Sequence, residues 1–346
     1  MKKKIIVAPL NWGLGHSSRC VPVIKSLLEN SFTPIIASDG KALEFLKQEF
    51  PDLESLELPS YHISYAKNLK WKLLFQLPKI WKAVQKEKNV IQDFVNGNSD
   101  IIGVISDNRF GVRSAKITSV YITHQICVLS GITTFLSSII HQRIMKKFDE
   151  CWIPDNANSE FSGKLSSNNK NLNSKFIGVL SRFEKEDLKK EIDILVILSG
   201  PEPNRTILEK KLIREVKNDE RKIVFVLGKV ESETKKWISE NITFYNYLLT
   251  EKLQYLINSS EVVICRSGYS SIMDLAVLQK KVFLIPTKNQ PEQEYLAEYL
   301  EQNNIAPYTN VDHFSLKELS KIQNYKGLKS RQILFDKSLF GLFNSK

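Results

Sequence analysis

Cysteine is scarce in this 346-residue chain, with four residues at positions 20, 127, 151 and 265 that have neither paired nor metal-like spacing. That excludes a disulfide framework and a cysteine-based zinc module, and it suits a reducing cytosol. Long hydrophobic runs are missing too. The most apolar stretch, Ile117 to Ile140, is interrupted by His124, Gln125, Ser130 and Gly131, so it reads as a strand followed by a buried helix rather than a membrane span. The amino terminus, Met1-Lys2-Lys3-Lys4, leads only into Ile5-Ile6-Val7-Ala8-Pro9-Leu10, which is a first β-strand and not the core of a signal peptide. Nucleic-acid motifs and low-complexity repeats are absent. What remains is a chain with 42% hydrophobic and 10% aromatic residues, long enough for two domains with cores of their own and unsuited to disorder.

Acidic residues are outnumbered, 38 against 49 Lys and Arg, for a formal net charge of +11. Residues 1 to 150 hold 20 basic and 13 acidic residues, so +7 of the excess lies in the front half. Within it, Ala66 to Lys88 carries seven lysines and one glutamate, interleaved with Trp71, Leu73, Leu74, Phe75, Leu77, Ile80, Trp81 and Val84. Two readings stay open for this amphipathic segment, which Pro78 should kink. It is an ordinary helix packed on a sheet with a solvated lysine face, or a surface that lies on anionic membrane.

Short β-branched runs alternate with helix-length segments, the pattern of parallel sheets built from βαβ units and hence of an α/β fold. One series uses Ile5 to Val7, Pro34 to Ala37, Ile101 to Ile105, Val120 to Ile122 and Cys151 to Pro154. A second uses Ile194 to Leu198, Ile223 to Val226, Val262 to Ile264 and Val282 to Ile285. Between them, Asn156 to Ser174 is rich in Ser, Asn and Lys and forms a core poorly. The expected division is therefore a first domain over residues 1–155, a junction over 156–190 and a second domain over 191–326.

The most informative stretch runs from residue 265 to 300. The apolar strand Glu261-Val262-Val263-Ile264 breaks at Arg266-Ser267-Gly268, the strand end at which open α/β sheets bind ligands. From Ser270 the chain turns helical, so Ser270, Ser271 and the first helical N–H groups face an anion. Asp274 follows one turn later, where a carboxylate suits a pair of ribose hydroxyls better than a phosphate. This combination fits a nucleoside diphosphate sugar.

Residues 241 to 302 resemble the C-terminal domain of glycosyltransferase family 28, which includes the lipid II-forming N-acetylglucosaminyltransferase and the plant galactolipid synthases. The resemblance implies the GT-B architecture, two doubly wound Rossmann-like domains facing across a cleft, with the last helix, about 327–343, crossing back to the first domain. On the donor side it implies that Ser199 and Gly200 approach the diphosphate or sugar, and that Arg182 meets the diphosphate; Arg205 is a further donor-side candidate, and either arginine is otherwise a surface ion pair. The backbone around Leu249 and Thr250 corresponds to a base-reading loop, and Gln293-Glu294 to the pair that touches the sugar. Asp274 stands where the family has a glutamate, and prolines replace the usual Gly-Gly-Ser run after Gly200.

The first domain opens with Asn11-Trp12-Gly13-Leu14-Gly15-His16-Ser17-Ser18-Arg19, a turn between strand and helix. Gly13 and Gly15 let the backbone approach a ligand, and a helix N-terminus beside His16 disfavours the imidazolium. His16 is thus a general base, or a capping histidine in a glycine turn; a phosphate-binding dinucleotide loop is the third reading, although the Gly-x-Gly-x-x-Gly spacing is absent. The loop resembles the glycine-rich first loop of family 28, without its tandem glycine pairs. Asp107, at the end of Ile101 to Ile105, orients His16, serves as the base itself, or shapes a turn with Asn108. His124 and Gln125 end the next strand and line the acceptor cleft, or His124 is a satisfied core histidine.

The expectation is an inverting glycosyltransferase acting without a metal or other cofactor, since no Asp-x-Asp triad occurs. Its substrates are a nucleotide-sugar donor, a UDP-sugar first among them, and a hydroxyl acceptor that is lipid-linked or part of a cell-envelope glycan. Its place is the cytoplasm, or the inner face of the membrane through 66–88. The alternatives are a nucleotide-sugar hydrolase with water as acceptor and a non-catalytic nucleotide-sugar-binding protein.

Overall fold

A computed structural model describes residues 3–61, 69–129, 134–167, 172–231, 233–330 and 337–344. Its first strand, β1 (Lys4–Pro9), shows why the sheets are buried: Ile5, Ile6, Val7 and Ala8 have no solvent exposure, so both faces are covered. Around it stand α1 (Leu14–Glu29), β2 (Thr33–Ser38), α2 (Gly40–Glu49), β3 (Ser55–Glu57), α3 (Leu69–Gly97), β4 (Ile101–Asp107), β5 (Thr118–Ile122), α4 (Thr134–Met145), β6 (Glu150–Ile153) and β7 (Ser174–Phe176). The strand order is β3-β2-β1-β4-β5-β6-β7, parallel throughout. The order reverses between β1 and β4, and a crevice opens at such a reversal because neighbouring loops leave in opposite directions.

The second sheet is built from β8 (Ile192–Ile197), β9 (Ile223–Val226), β10 (Lys236–Ser239), β11 (Ile242–Tyr245), β12 (Ser260–Cys265) and β13 (Lys281–Leu284). Helices α5 (Asn204–Val216), α6 (Thr250–Asn258), α7 (Tyr269–Val277) and α8 (Pro291–Gln302) connect and cover it. Its order, β10-β11-β9-β8-β12-β13, reverses between β8 and β12, and only the β10–β11 pair is antiparallel. The two-domain α/β architecture expected from sequence is therefore present.

Three details depart from expectation. Ser174–Phe176 belongs to the first sheet, so that sheet reaches into the segment expected as a junction. Nor is the serine-rich stretch before it a loose linker. Phe161 and Leu165 are buried, and the Asp155 carboxylate accepts from the Ser162 amide at 3.0 Å and from the Ser162 hydroxyl. The third concerns the C-terminus, where Gly327 to Ser330 is not helical and Leu334 and Phe335 lie outside the described residues. The short helix α9 (Lys337–Phe340) and a 3-10 turn, Gly341–Asn344, do pack on the first domain. Phe340 lies 5.9 Å from Phe32 and 6.2 Å from Trp152 between ring centroids, and Gly103 in β4 leaves room that the Phe343 ring fills.

The basic aromatic segment forms the first half of α3, with Pro78 inside the helix. Residues 66–68 and the side chains of 69–77 lie outside the described residues. Farther along, α3 buries Ala83, Val84, Glu87 and Ile91 and exposes Lys79, Trp81, Lys82 and Lys86. Among the described residues no helix is long and apolar enough to cross a membrane.

Candidate active site

The first switch point places two predicted residues side by side. Pro9 at the end of β1 is in register with Asp107 at the end of β4, and the Leu10 amide donates to the Asp107 carbonyl at 2.9 Å. From Leu10 the chain turns at Gly13, whose φ of 80° and ψ of 177° are open to glycine and strained for other residues. Helix α1 then starts without a side-chain cap, and His16 lies in its first turn. A buried network holds this loop from behind: Asn11 donates to Asp39 at 3.0 Å, and Arg109 pairs with Asp39 at 2.6 Å and with Glu87 of α3.

Asp107 is fully buried and organises its neighbours. Arg19, one turn after His16 on the same face of α1, donates to both carboxylate oxygens, through Nε to Oδ2 and Nη2 to Oδ1. His16 Nδ1 lies 2.8 Å from Asp107 Oδ1. Burial opposes ionisation of Asp107, but Arg19 and then His16 outweigh it and hold the carboxyl well below its ordinary value. Arg19 Nη1 also donates to His124 Nδ1 at 3.0 Å, which places the proton of a neutral His124 on Nε2. That nitrogen donates to Glu292 Oε1 of the second domain at 2.8 Å. Burial pushes His124 below its ordinary value although Glu292 pulls the other way, while His124 and the cations behind it overcome burial and hold Glu292 down. A neutral imidazole bridging Arg19 and an ionised Glu292 is the arrangement we adopt, because a lone pair facing a guanidinium requires it.

The second switch point is built differently. Ser199 and Gly200 follow β8 half-buried, with Gly200 at a φ of 98°. Arg266 is buried and reaches away from open space, donating to the carbonyls of Ile285 at 3.1 Å, Pro286 at 2.9 Å and Asn204 at 2.8 Å. Burial brings its guanidinium down to about 10. Ser267 donates to the Gln293 carbonyl at 2.7 Å, Gly268 caps α7, and Ser271 sits half-buried in its first turn. Arg266 and Ser267 thus brace the loops around the strand ends.

Several residues expected to meet a donor have other partners. Arg205 is tied to Glu202 and Glu209 around the start of α5, the ion-pair alternative for this residue. Gln293 accepts from the Thr287 amide at 2.9 Å, and the exposed Glu294 accepts from the Asn289 amide at 2.8 Å. The pair that closes this turn is therefore Gln293-Glu294, and the side chain that reaches the cleft is Glu292, the helical neighbour that points elsewhere. Asp274 accepts from the Ser181 hydroxyl at 2.8 Å. Burial pushes its carboxyl up to about 6 although Arg182 opposes this.

Between the domains the predicted residues do meet. Ser270 donates to the Gly15 carbonyl at 2.9 Å, bringing the N-termini of α7 and α1 into contact. Thr250 donates to Glu49 through its amide at 2.8 Å and its hydroxyl at 2.6 Å, next to Leu249, the residue before α6. Arg182 Nη1 lies 3.4 Å from the same Glu49 oxygen, with its guanidinium over the rings of Phe45 and Phe183. His124 stacks on Tyr269 with centroids 4.3 Å apart and planes within 8°, while Gln125 sits half-buried beside it. Sequence reasoning missed Arg19, Glu292, Tyr269 and Glu49. Arg19 carried a signal, because a charge three residues from His16 shares its helix face; the others are brought in by folding alone.

Residues 196–332 match the glycosyltransferase family 28 C-terminal domain. No curated protein matches the chain in sequence. Among solved structures, the glycosyltransferase SnogD of Streptomyces nogalater is 11% identical, with a TM-score of 0.64 over 93% of this chain and 90% of that one. MurG of Acinetobacter baumannii is 12% identical, at 0.54 over 94% and 93%. Arabidopsis thaliana UGT89C1, solved with UDP-L-rhamnose, is 11% identical, at 0.63 over 94% and 90%. At these identities the likeness is one of fold, and that fold is GT-B.

Proposed function

We propose, from a chain that is a glycosyltransferase with a family 28 C-terminal domain at residues 196–332, that it transfers a sugar from UDP to an acceptor hydroxyl with inversion. His16 takes the hydroxyl proton on Nε2 while its Nδ1–H is held by Asp107. The acceptor oxygen attacks the anomeric carbon in line as the bond to the diphosphate breaks. The N-terminus of α7 and the backbone at Gly200 face the departing diphosphate and offset its charge, so the reaction needs no metal. The observation that carries this reading is the Ser270–Gly15 hydrogen bond, which sets the helix bearing His16 against the helix whose N-terminus suits a diphosphate.

A thermal-shift screen with UDP, GDP, dTDP and ADP tests the donor half. Stabilisation by UDP is expected, and no shift with any nucleotide would overturn the donor site. With labelled UDP-sugars, His16→Ala should lower turnover by roughly 10²- to 10⁴-fold, as loss of a general base does. Release of free sugar without an acceptor would instead mark a hydrolase.

We place the acceptor on a lipid. In support, Trp81 is 58% exposed on α3 among the exposed Lys79, Lys82 and Lys86, an amphipathic aromatic set in a basic surface. Sedimentation with vesicles rich in anionic lipid should carry the protein down, and Trp81→Ser should reduce the bound fraction. Equal binding by both proteins would remove this support.

A further inference from the structure

His16 Nδ1 has two neighbours with opposite demands. Asp107 Oδ1 at 2.8 Å accepts a proton from the ring, whereas Arg19 Nη2, also at 2.8 Å, needs the ring's lone pair. A neutral imidazole satisfies only one of them. With its proton on Nδ1, His16 keeps a lone pair on Nε2 and serves as a base; with its proton on Nε2 it does not. Where the Arg19 guanidinium sits therefore selects the tautomer.

That position is set from outside α1. Arg19 Nη1 donates to His124 Nδ1 at 3.0 Å, and His124 Nε2 donates to Glu292 Oε1 at 2.8 Å. Glu292 belongs to α8 and Tyr269, on which the His124 ring lies flat, to α7, so both holds on His124 come from the second domain. Arg19 and Asp107 are buried, so neither can turn to water for a replacement partner.

We propose that Arg19 and His124 are positioning residues that transmit the docking of the second domain, through Glu292, to the tautomer of His16. With Glu292 in place, Arg19 holds His124 with Nη1 and Asp107 with Nε and Nη2, and His16 gives its Nδ1 proton to the same carboxylate. Without Glu292, the Nε2–H of His124 loses its acceptor, and the ring is no longer tethered where Nη1 reaches its Nδ1. The guanidinium, left with Nη1 unpaired, then shifts towards His16 Nδ1, which Nη2 already approaches, and the base is disarmed. The base is thus armed only when the donor-bearing helices are docked. This inference rests on His16 being the base of the proposed transfer, but its test needs no turnover.

The experiment uses the full chain labelled with ¹⁵N-histidine, whose five histidines are few enough to resolve, with His16 assigned by its loss in His16→Ala. Long-range ¹H–¹⁵N spectra at neutral pH report which ring nitrogen carries the proton. The expected wild-type result is a protonated Nδ1 and a bare Nε2. In Glu292→Leu the two signals should exchange places. They should exchange likewise in His124→Phe, which keeps an aromatic ring against Tyr269 and removes both hydrogen bonds. Glu292→Gln, whose amide oxygen still accepts from His124, should retain the wild-type pattern. An unchanged His16 tautomer in both Glu292→Leu and His124→Phe, or a wild-type ring already protonated on Nε2, would overturn the proposal. Wild-type turnover in His16→Ala would defeat the base reading alone, with the tautomer coupling still legible in the spectra.

Discussion

At the first domain's switch point, His16, Arg19, Asp107 and His124 satisfy one another side chain to side chain. At the second domain's, Arg266 Nη1 and Nη2 and the Ser267 hydroxyl donate to main-chain carbonyls of residues 204, 285, 286 and 293, while the buried Arg266 Nε has no partner. The contrast fits the two tasks proposed for these halves. Moving a proton takes titratable groups held in a defined state, and those groups must come from several strands because one loop cannot present them all. Holding a diphosphate takes N–H groups and small residues on a rigid turn, which a single strand–loop–helix unit supplies once its loops are braced.

The comparison is most exposed to substitution at its two buried ionic centres. Asp107→Ala should cost the most, about 3–5 kcal/mol in urea unfolding, because it leaves the Arg19 cation buried without its carboxylate. Arg266→Met should cost less, about 1–3 kcal/mol, since it removes a donor from carbonyls and strands no charge. If the two losses were equal, the distinction between a charge-satisfied half and a backbone-satisfied half would fail.

A smaller effect separates the halves by the sign of their pH dependence. Asp107 is held below its ordinary value, so its contribution is fully present above the unfolded carboxyl pKa and is lost as the pH falls below that value towards the folded one. Asp274 is raised from 3.8 to about 6, so ionising it in the folded state is unfavourable, and this cost grows as the pH rises from about 4 to about 6. Melting temperatures of Asp107→Asn and Asp274→Asn across pH 4 to 7 check both signs. Relative to the wild type, Asp107→Asn should lose stability throughout this range, while Asp274→Asn should match it near pH 4 and exceed it above about 6. A gain of stability in Asp107→Asn, or a loss in Asp274→Asn at pH 7, would reverse the assignment for that half.

The half proposed to hold the donor was the more legible in sequence because it is nearly contiguous: β12, the turn at Arg266 to Gly268 and α7 follow one another within one unit. That Glu292, and not the Gln293-Glu294 pair beside it, pairs with His124 has a helical reason. One step along α8 turns a side chain by about 100° (3.6 residues per turn), so only the folded register shows that Glu292 faces His124. The strands β3, β7 and β10 escaped notice because they are three or four residues long, and β3 and β10 are mostly exposed, without an apolar run to mark them.

Apolar runs determined the two mostly parallel sheets, and glycine and serine determined the turns at their strand ends, because both are local consequences of side-chain burial and backbone freedom. Tertiary structure alone decided that residues 16, 19, 107, 124 and 292 form one hydrogen-bonded chain. They are as many as 276 positions apart in sequence (292 minus 16), and beyond the three-residue spacing of His16 and Arg19 nothing in their local context records a partner. Strand order and the docking of the second domain bring them together. Once buried, they are held by the cost of leaving any of those charges and donors without a partner.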